Sequence, residues 1–175
     1  MYKVTWHEIV KYNPIYYDKN GIYTIDEWTS RSDVGKCYNG KTFSIEDYLK
    51  VEQQYTDAVL SIMDAAKCAY MTIHYLEADK KYIADRIKSS KFHDIDFPLL
   101  QSLPLIARGK KIHYTKIDNV IRLALREYIY VVLCNDKHKL QIEFGYDYYM
   151  KIQSSLSNAI LQEKVSKVGL FLDPR

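Results

Sequence analysis

The sequence predicts an α+β fold, with a helical N-terminal two-thirds packed on a small C-terminal antiparallel β-sheet. Three observations predict it. Over residues 140–152 Leu140, Ile142, Phe144, Tyr146, Tyr148, Met150 and Ile152 share one parity, while Gln141, Glu143, Asp147, Tyr149 and Lys151 share the other. Alternation of this kind is the signature of a half-buried strand. From Lys41 to Phe97 there is no Gly or Pro, and Tyr48, Val51, Tyr55, Ala58, Val59, Ile62 and Met63 recur at three and four, the stripe of an amphipathic helix. Residues 128–133, YIYVVL, then turn aromatic and β-branched, which favours strand.

In chain order, Thr5 and Glu8 have capping-box spacing and Asn13-Pro14 is a helix stop, so a short helix over residues 6–12 is expected, burying Trp6, Ile9 and Val10. Residues 16–40 are rich in turn formers and read as a structured loop, with a small hairpin at Asn20-Gly21 and Trp28 pinning it to the body. Ser44 and Asp47 form a second capping box that opens the principal helix. Run to Glu77 that helix would be about 50 Å long at about 1.5 Å per residue, so a break near Tyr70 is expected. Asp79 caps a second helix through Ser89, and Pro98 and Pro104 limit helix between them to a turn or two. Thr115 and Asp118 suggest a third capping box.

Beyond it, residues 128–133 pair with residues 140–152 through a turn at Asn135-Asp136-Lys137; the rival is a helix from Lys116 that simply continues, since Ala124, Tyr128 and Val131 keep helical spacing. One strand over residues 140–152 would span about 44 Å, so a bend or bulge is expected at Gly145. A last helix within residues 158–167 ends at Gly169, and Leu170-Phe171-Leu172 return as a third strand. The 175 residues suit a single domain, 1–175.

With 47% apolar and 27% charged residues, the composition is that of an ordinary soluble globular protein. Its 17 tyrosines suit half-buried surfaces and interfaces. Three cysteines, an odd number without a CxxC, point to reduced thiols in a cytoplasmic protein, and nothing near Met1 resembles a signal peptide. A net charge of +3 is too small to announce a nucleic-acid binder, but residues 79–116 hold nine Lys or Arg against four Asp, leaving +5 there and −2 elsewhere.

Several motifs fail on inspection. Residues 16–27 place Gly21 and Glu27 as a calcium loop would, but Tyr16 occupies the first ligand position. Val34-Gly35-Lys36 ends like a P-loop, yet Ser30 stands for the first Gly and Cys37 for the magnesium-binding hydroxyl. His7-Glu8 lacks the second His of a zinc protease, and His93-Asp94 only faintly resembles the metal-dependent HD phosphohydrolases. No metal or other cofactor is expected. The best enzymatic motif is Arg108 with His113 in RGKKIH, which resembles the R-x4-H signature of HEPN ribonucleases. That resemblance implies a helical fold, with Arg108 and His113 acting on the scissile phosphate and the ribose hydroxyl and Lys110 and Lys111 holding RNA. Gly109 interrupts the helix that should present both side chains.

Two stretches, WHEIVKYNP at residues 6–14 and DEWTSRSDVGK at residues 26–36, together with FGYDYYM at residues 144–150, resemble immunity proteins of bacterial contact-dependent growth inhibition and related polymorphic toxin systems. The resemblance implies a non-enzymatic cytoplasmic protein that binds a cognate toxin domain as a heterodimer. Immunity proteins against nucleases are commonly acidic, whereas this chain is slightly basic. Either its toxin is not a basic nuclease or a local acidic patch does the work. Glu143, Asp147, Tyr149 and Lys151 on the polar side of the sheet, with Asp26, Glu27 and Asp33 in the loop, are the expected partner-binding residues.

Overall fold

The computed structural model describes residues 5–174. In chain order these form β1 (Thr5–Val10), the short strands β2 (Cys37–Tyr38) and β3 (Lys41–Thr42), α1 (Ile45–Ala65), β4 (Tyr70–Glu77), α2 (Lys80–Ser89) and α3 (His93–Asp96). After a 3-10 helix at Phe97–Leu105 come β5 (Lys111–His113), α4 (Ile117–Leu125), β6 (Tyr130–Asn135), β7 (Leu140–Phe144), β8 (Met150–Ser154), α5 (Asn158–Lys167) and β9 (Phe171–Asp173). Seven of the strands make one antiparallel sheet in the order β5-β4-β6-β7-β8-β1-β9.

This corrects the expected fold class. The sheet is large, and its strands are spread from residue 5 to residue 173 instead of being confined to the C-terminal third. Two misread segments account for most of the difference. Residues 6–12 are not a helix. They belong largely to β1, which pairs with β8 on one edge and β9 on the other. Its alternation of Trp6 and Glu8 against His7 and Ile9 fits a strand with one covered face, and the Thr5–Glu8 spacing is coincidental. The second is the stretch after Ala65: the break expected near Tyr70 is present, but beyond it the chain is strand β4 and not further helix.

The helix ends explain the second error. At the end of α1, Lys67 takes φ +54, its N–H bonds to Asp64 O at 2.9 Å, and Cys68 N–H reaches back to Met63 O at 2.8 Å. The end of α4 repeats this with Glu127 at φ +56, its N–H on Ala124 O, and Tyr128 N–H on Leu123 O at 2.9 Å. Both are Schellman closures built on a non-glycine residue. The second one stops α4, so β6 is a strand and the continued-helix alternative falls. Only α5 closes with the expected glycine, where Gly169 has φ +85 and a Cβ would lie 2.6 Å from Gln54 Nε2.

Residues 140–152 are likewise not one bent strand. Gly145 N–H bonds to Tyr149 O at 2.7 Å and the chain reverses, making β7 and β8 a hairpin. The Ser44–Asp47 box caps α1 and Asp79 caps α2 as expected. The loop also turns back at Asn20-Gly21, where Tyr17 and Tyr23 bridge.

The helices lie on one side of the sheet: α1 packs against α4 and α5, and α4 meets the 3-10 helix that also contacts α2. Ile9, Met71, Ile73, Val131, Leu133, Ile142, Phe144, Met150 and Ile152 point into that layer and meet Tyr48, Tyr55, Val59, Ile62, Ile117 and Ile121. Burying each such side chain is worth about 1.5–3 kcal/mol. No helix among the described residues is long and apolar enough to cross a membrane.

Candidate functional site

The other face of the sheet is the more open one, although Val10, Val132, Cys134 and Asp173 on it are buried and Asn158, Ala159 and Gln162 of α5 help to line its groove. Pairing register places Val132, Glu143, Lys151, Glu8 and Asp173 directly opposite one another, a single rung across β6, β7, β8, β1 and β9. The next rung holds Cys134, Gln141, Gln153 and Trp6. Lys151 Nζ stands 3.8 Å from Glu8 Oε1, and Gln141 Nε2 donates to Glu143 Oε1 at 2.7 Å. A groove of about 1030 Å³ runs beside the rung, lined by Trp6, Glu8, Glu143, Lys151 and Asp173 among others. Glu8 and Glu143 flank the Lys151 ammonium there, so the groove presents charge of both signs. Trp6, Tyr75 and Tyr130 add exposed aromatic surface to the same face. Burial pushes the Cys134 thiol up to about 11, so it is inert there.

The β7–β8 turn begins one residue past the Glu143–Lys151 pair. Asp147 and Tyr148 have φ of +54 and +64 in succession. Left-handed backbone is costly for non-glycine residues, most of all a bulky one, and persists only where its surroundings enforce it. Here they do. The buried Tyr148 ring packs on Trp28, Tyr48 and Tyr55 at 5.1, 6.1 and 5.6 Å, and the Tyr55 hydroxyl donates to the Tyr148 carbonyl. Tyr12 Oη donates to Asp147 O at 2.8 Å. The clamped turn projects Tyr146, 84% exposed, and leaves the Asp147 side chain in solvent. The sequence placed Tyr146 on the apolar face; it is the most exposed large hydrophobic residue described.

Of the other expected partner-binding residues, Tyr149 belongs to a ring cluster. Its hydroxyl lies 3.1 Å from that of Tyr17 and its ring 5.5 Å from Tyr12, which in turn meets Tyr23. Glu27 accepts from Lys11 Nζ at 2.8 Å, and that ammonium also sits over the Tyr12 and Trp28 rings at 4.1 and 4.3 Å. Desolvation holds the Lys11 ammonium below its ordinary pKa, against the opposing pull of Glu27. Asp26 is exposed, its carbonyl accepting from Asn39 Nδ2. Asp33 turns inward: it caps the 3-10 turn Arg31–Asp33 by accepting from Thr29 and Ser30 N–H and pairs with Lys36 at 2.7 Å. The sheet and tip therefore gather Glu143, Lys151 and Asp147, while Glu27 and Tyr149 anchor the loop and Asp33 is spent on a cap.

Arg108 lies in the turn before β5 and His113 at the end of that edge strand, where its Nδ1 is 3.0 Å from Thr115 Oγ1. No helix presents the pair. Among the described residues, no three His, Cys, Asp or Glu gather to hold a metal.

One constellation escaped the sequence entirely. Glu52 on α1 and Asp96 on α3 are both fully buried, and Arg126, past the end of α4, bridges them with Nε on Glu52 at 2.7 Å and Nη1 on Asp96 at 2.7 Å. Arg122 adds a 2.6 Å bond to Glu52, Arg31 a 2.5 Å bond to Asp96, and Tyr128 Oη a 2.6 Å bond to the other Asp96 oxygen. Its members come from four separate segments, so no local spacing announces it.

No family model, curated protein or solved structure matches the chain.

Proposed function

We propose that the protein is a non-enzymatic binding protein, an immunity protein that neutralises a cognate bacterial toxin domain in the cytoplasm by covering a surface the toxin needs. The observation that supports this reading best is the β7–β8 tip. Two consecutive left-handed non-glycine residues, clamped from beneath by buried tyrosines, hold one tyrosine out in water. Strain of this sort marks sites where geometry serves something other than stability. Rigid exposed tyrosine beside a mixed-charge row is the composition of a binding hot spot. Glu8 and Glu143 on either side of Lys151 offer a partner charge of both signs, which favours specificity of pairing.

The test is rescue of growth when the toxin domain encoded by the neighbouring gene is co-expressed with this protein, paired with co-purification of the two. The double variant Tyr146→Ala with Lys151→Glu is expected to lose both rescue and co-purification, while Arg108→Ala with His113→Ala keeps them. The opposite pattern favours a ribonuclease acting through Arg108 and His113 and removes the binding reading.

A further inference from the structure

On the helix side, away from the open face, a cleft of about 320 Å³ opens between the Arg31–Asp33 turn, the end of α2 and the turn after α4. Arg31, Arg86, Lys91 and Arg126 line it against a single carboxylate, Glu127. Directly behind stand Glu52, Asp96 and Arg122 of the buried network. Taken together, five cations face three carboxylates, a surplus of two positive charges. The two cations left over, Arg86 and Lys91, stand half-buried and exposed at the mouth of the cleft, and like charges gathered at a concave mouth raise the local concentration of anions.

The cations differ in what they have left to give. Arg126 spends four of its five N–H donors on Glu52, Asp96 and the Ile95 carbonyl. Arg86 donates only to the Glu127 carbonyl, at 3.1 Å, with its guanidinium 5.0 Å from the Tyr128 ring centroid. Lys91 stands over the Phe92 ring at 4.9 Å, and among the described residues neither it nor Arg86 has a carboxylate partner. Ser30 and Ser90 also line the cleft. Each hydroxyl oxygen accepts from a nearby backbone N–H, Ser32 for the first and Phe92 for the second, leaving its own proton to donate.

We infer that this cleft binds a phosphate-type oxyanion, free or as the monoester head of a larger ligand. Arg86 and Lys91 supply the charge, Ser30 and Ser90 the neutral donors, and Arg31 and Arg126 a fixed positive floor. A phosphate monoester carries about −1.5 to −2 at neutral pH, which matches the surplus. The volume lies at the small end of the roughly 300–1,000 Å³ typical of ligand pockets, room for the charged head and little more.

The experiment titrates the full chain with inorganic phosphate and, separately, with phenyl phosphate, against chloride at matched ionic strength, following heat and melting temperature. Saturable binding is expected, weakened about tenfold by Arg86→Gln and again by Lys91→Gln, in line with loss of a charge-assisted hydrogen bond. Both residues sit at the surface, and melting curves without phosphate establish that the variants fold. Tighter binding of phenyl phosphate identifies a monoester as the ligand, and equal binding identifies the free ion. No saturable phosphate effect beyond that of chloride overturns the inference, as does binding that survives both substitutions.

Discussion

The molecule carries two polar constellations, and they are built in opposite ways. The Glu52–Arg126–Asp96 network is buried, with every carboxylate oxygen engaged by arginine or tyrosine. The Glu143–Lys151–Glu8 rung lies open, held by one 2.7 Å hydrogen bond and one long ion pair. Solvent-exposed pairs contribute roughly 0–1 kcal/mol, so the rung adds little to the fold. Breaking a buried pair strands an uncompensated charge. The first constellation therefore orients α1, α3 and α4 about one another, and the second is free to serve a partner.

The sharpest way to break this contrast is Glu52→Ala, which leaves Arg126 and Arg122 facing a void. A loss of about 3–5 kcal/mol in urea denaturation is expected, a large part of the roughly 5–15 kcal/mol that holds a typical domain folded. A loss under about 1 kcal/mol means the network does not organise the helices. Next comes Tyr146→Ala at the tip. Binding to the proposed toxin partner should weaken by about 2 kcal/mol, roughly 30-fold, while stability stays within about 0.5 kcal/mol of the parent. A large drop in stability instead would place Tyr146 with the structural residues.

Asp147→Gly separates strain from contact. Glycine tolerates φ +54 freely, so the variant should gain roughly 0.5 kcal/mol of stability yet bind less well, because a looser turn must be ordered on binding. The smallest effect concerns Asp33. Desolvation alone would raise its pKa, but the Lys36 ammonium and the Thr29 and Ser30 amides outweigh it and hold the carboxyl below its ordinary value. A depressed folded-state pKa stabilises above the ordinary carboxyl pKa and is lost as pH falls through the folded one. Asp33→Asn should accordingly flatten the acid limb of stability against pH, without altering binding at neutral pH.

How far the sequence could be read depends on which residues close each element. α2 and α5 carry Asp79 and Gly169 at their ends, and both were readable. α1 and α4 end on Lys67 and Glu127 in left-handed backbone, residues that advertise nothing, so the strand beyond the break in the first was missed and the stop of the second stayed in dispute. The hairpin was hidden for a subtler reason. In its register Phe144 faces Met150 and Ile142 faces Ile152, partners of like parity, so a hairpin and one long strand yield the same alternation. Glu143 and Lys151 lie on the polar face as expected because either geometry puts them there. Tyr146 was missed because the turn lifts it out of the pattern, and the Glu52 network because only tertiary packing assembles it.

The position of β1 has a consequence for how the chain reaches this state. It finds both of its sheet neighbours, β8 and β9, only near the far end of the polypeptide. During synthesis Ile9 and Val10 must therefore wait, greasy and unpartnered, until residues 150–173 have been made. Pairings so distant in sequence are slow to form, and the edge of β1 stays exposed to other chains for as long as they are missing.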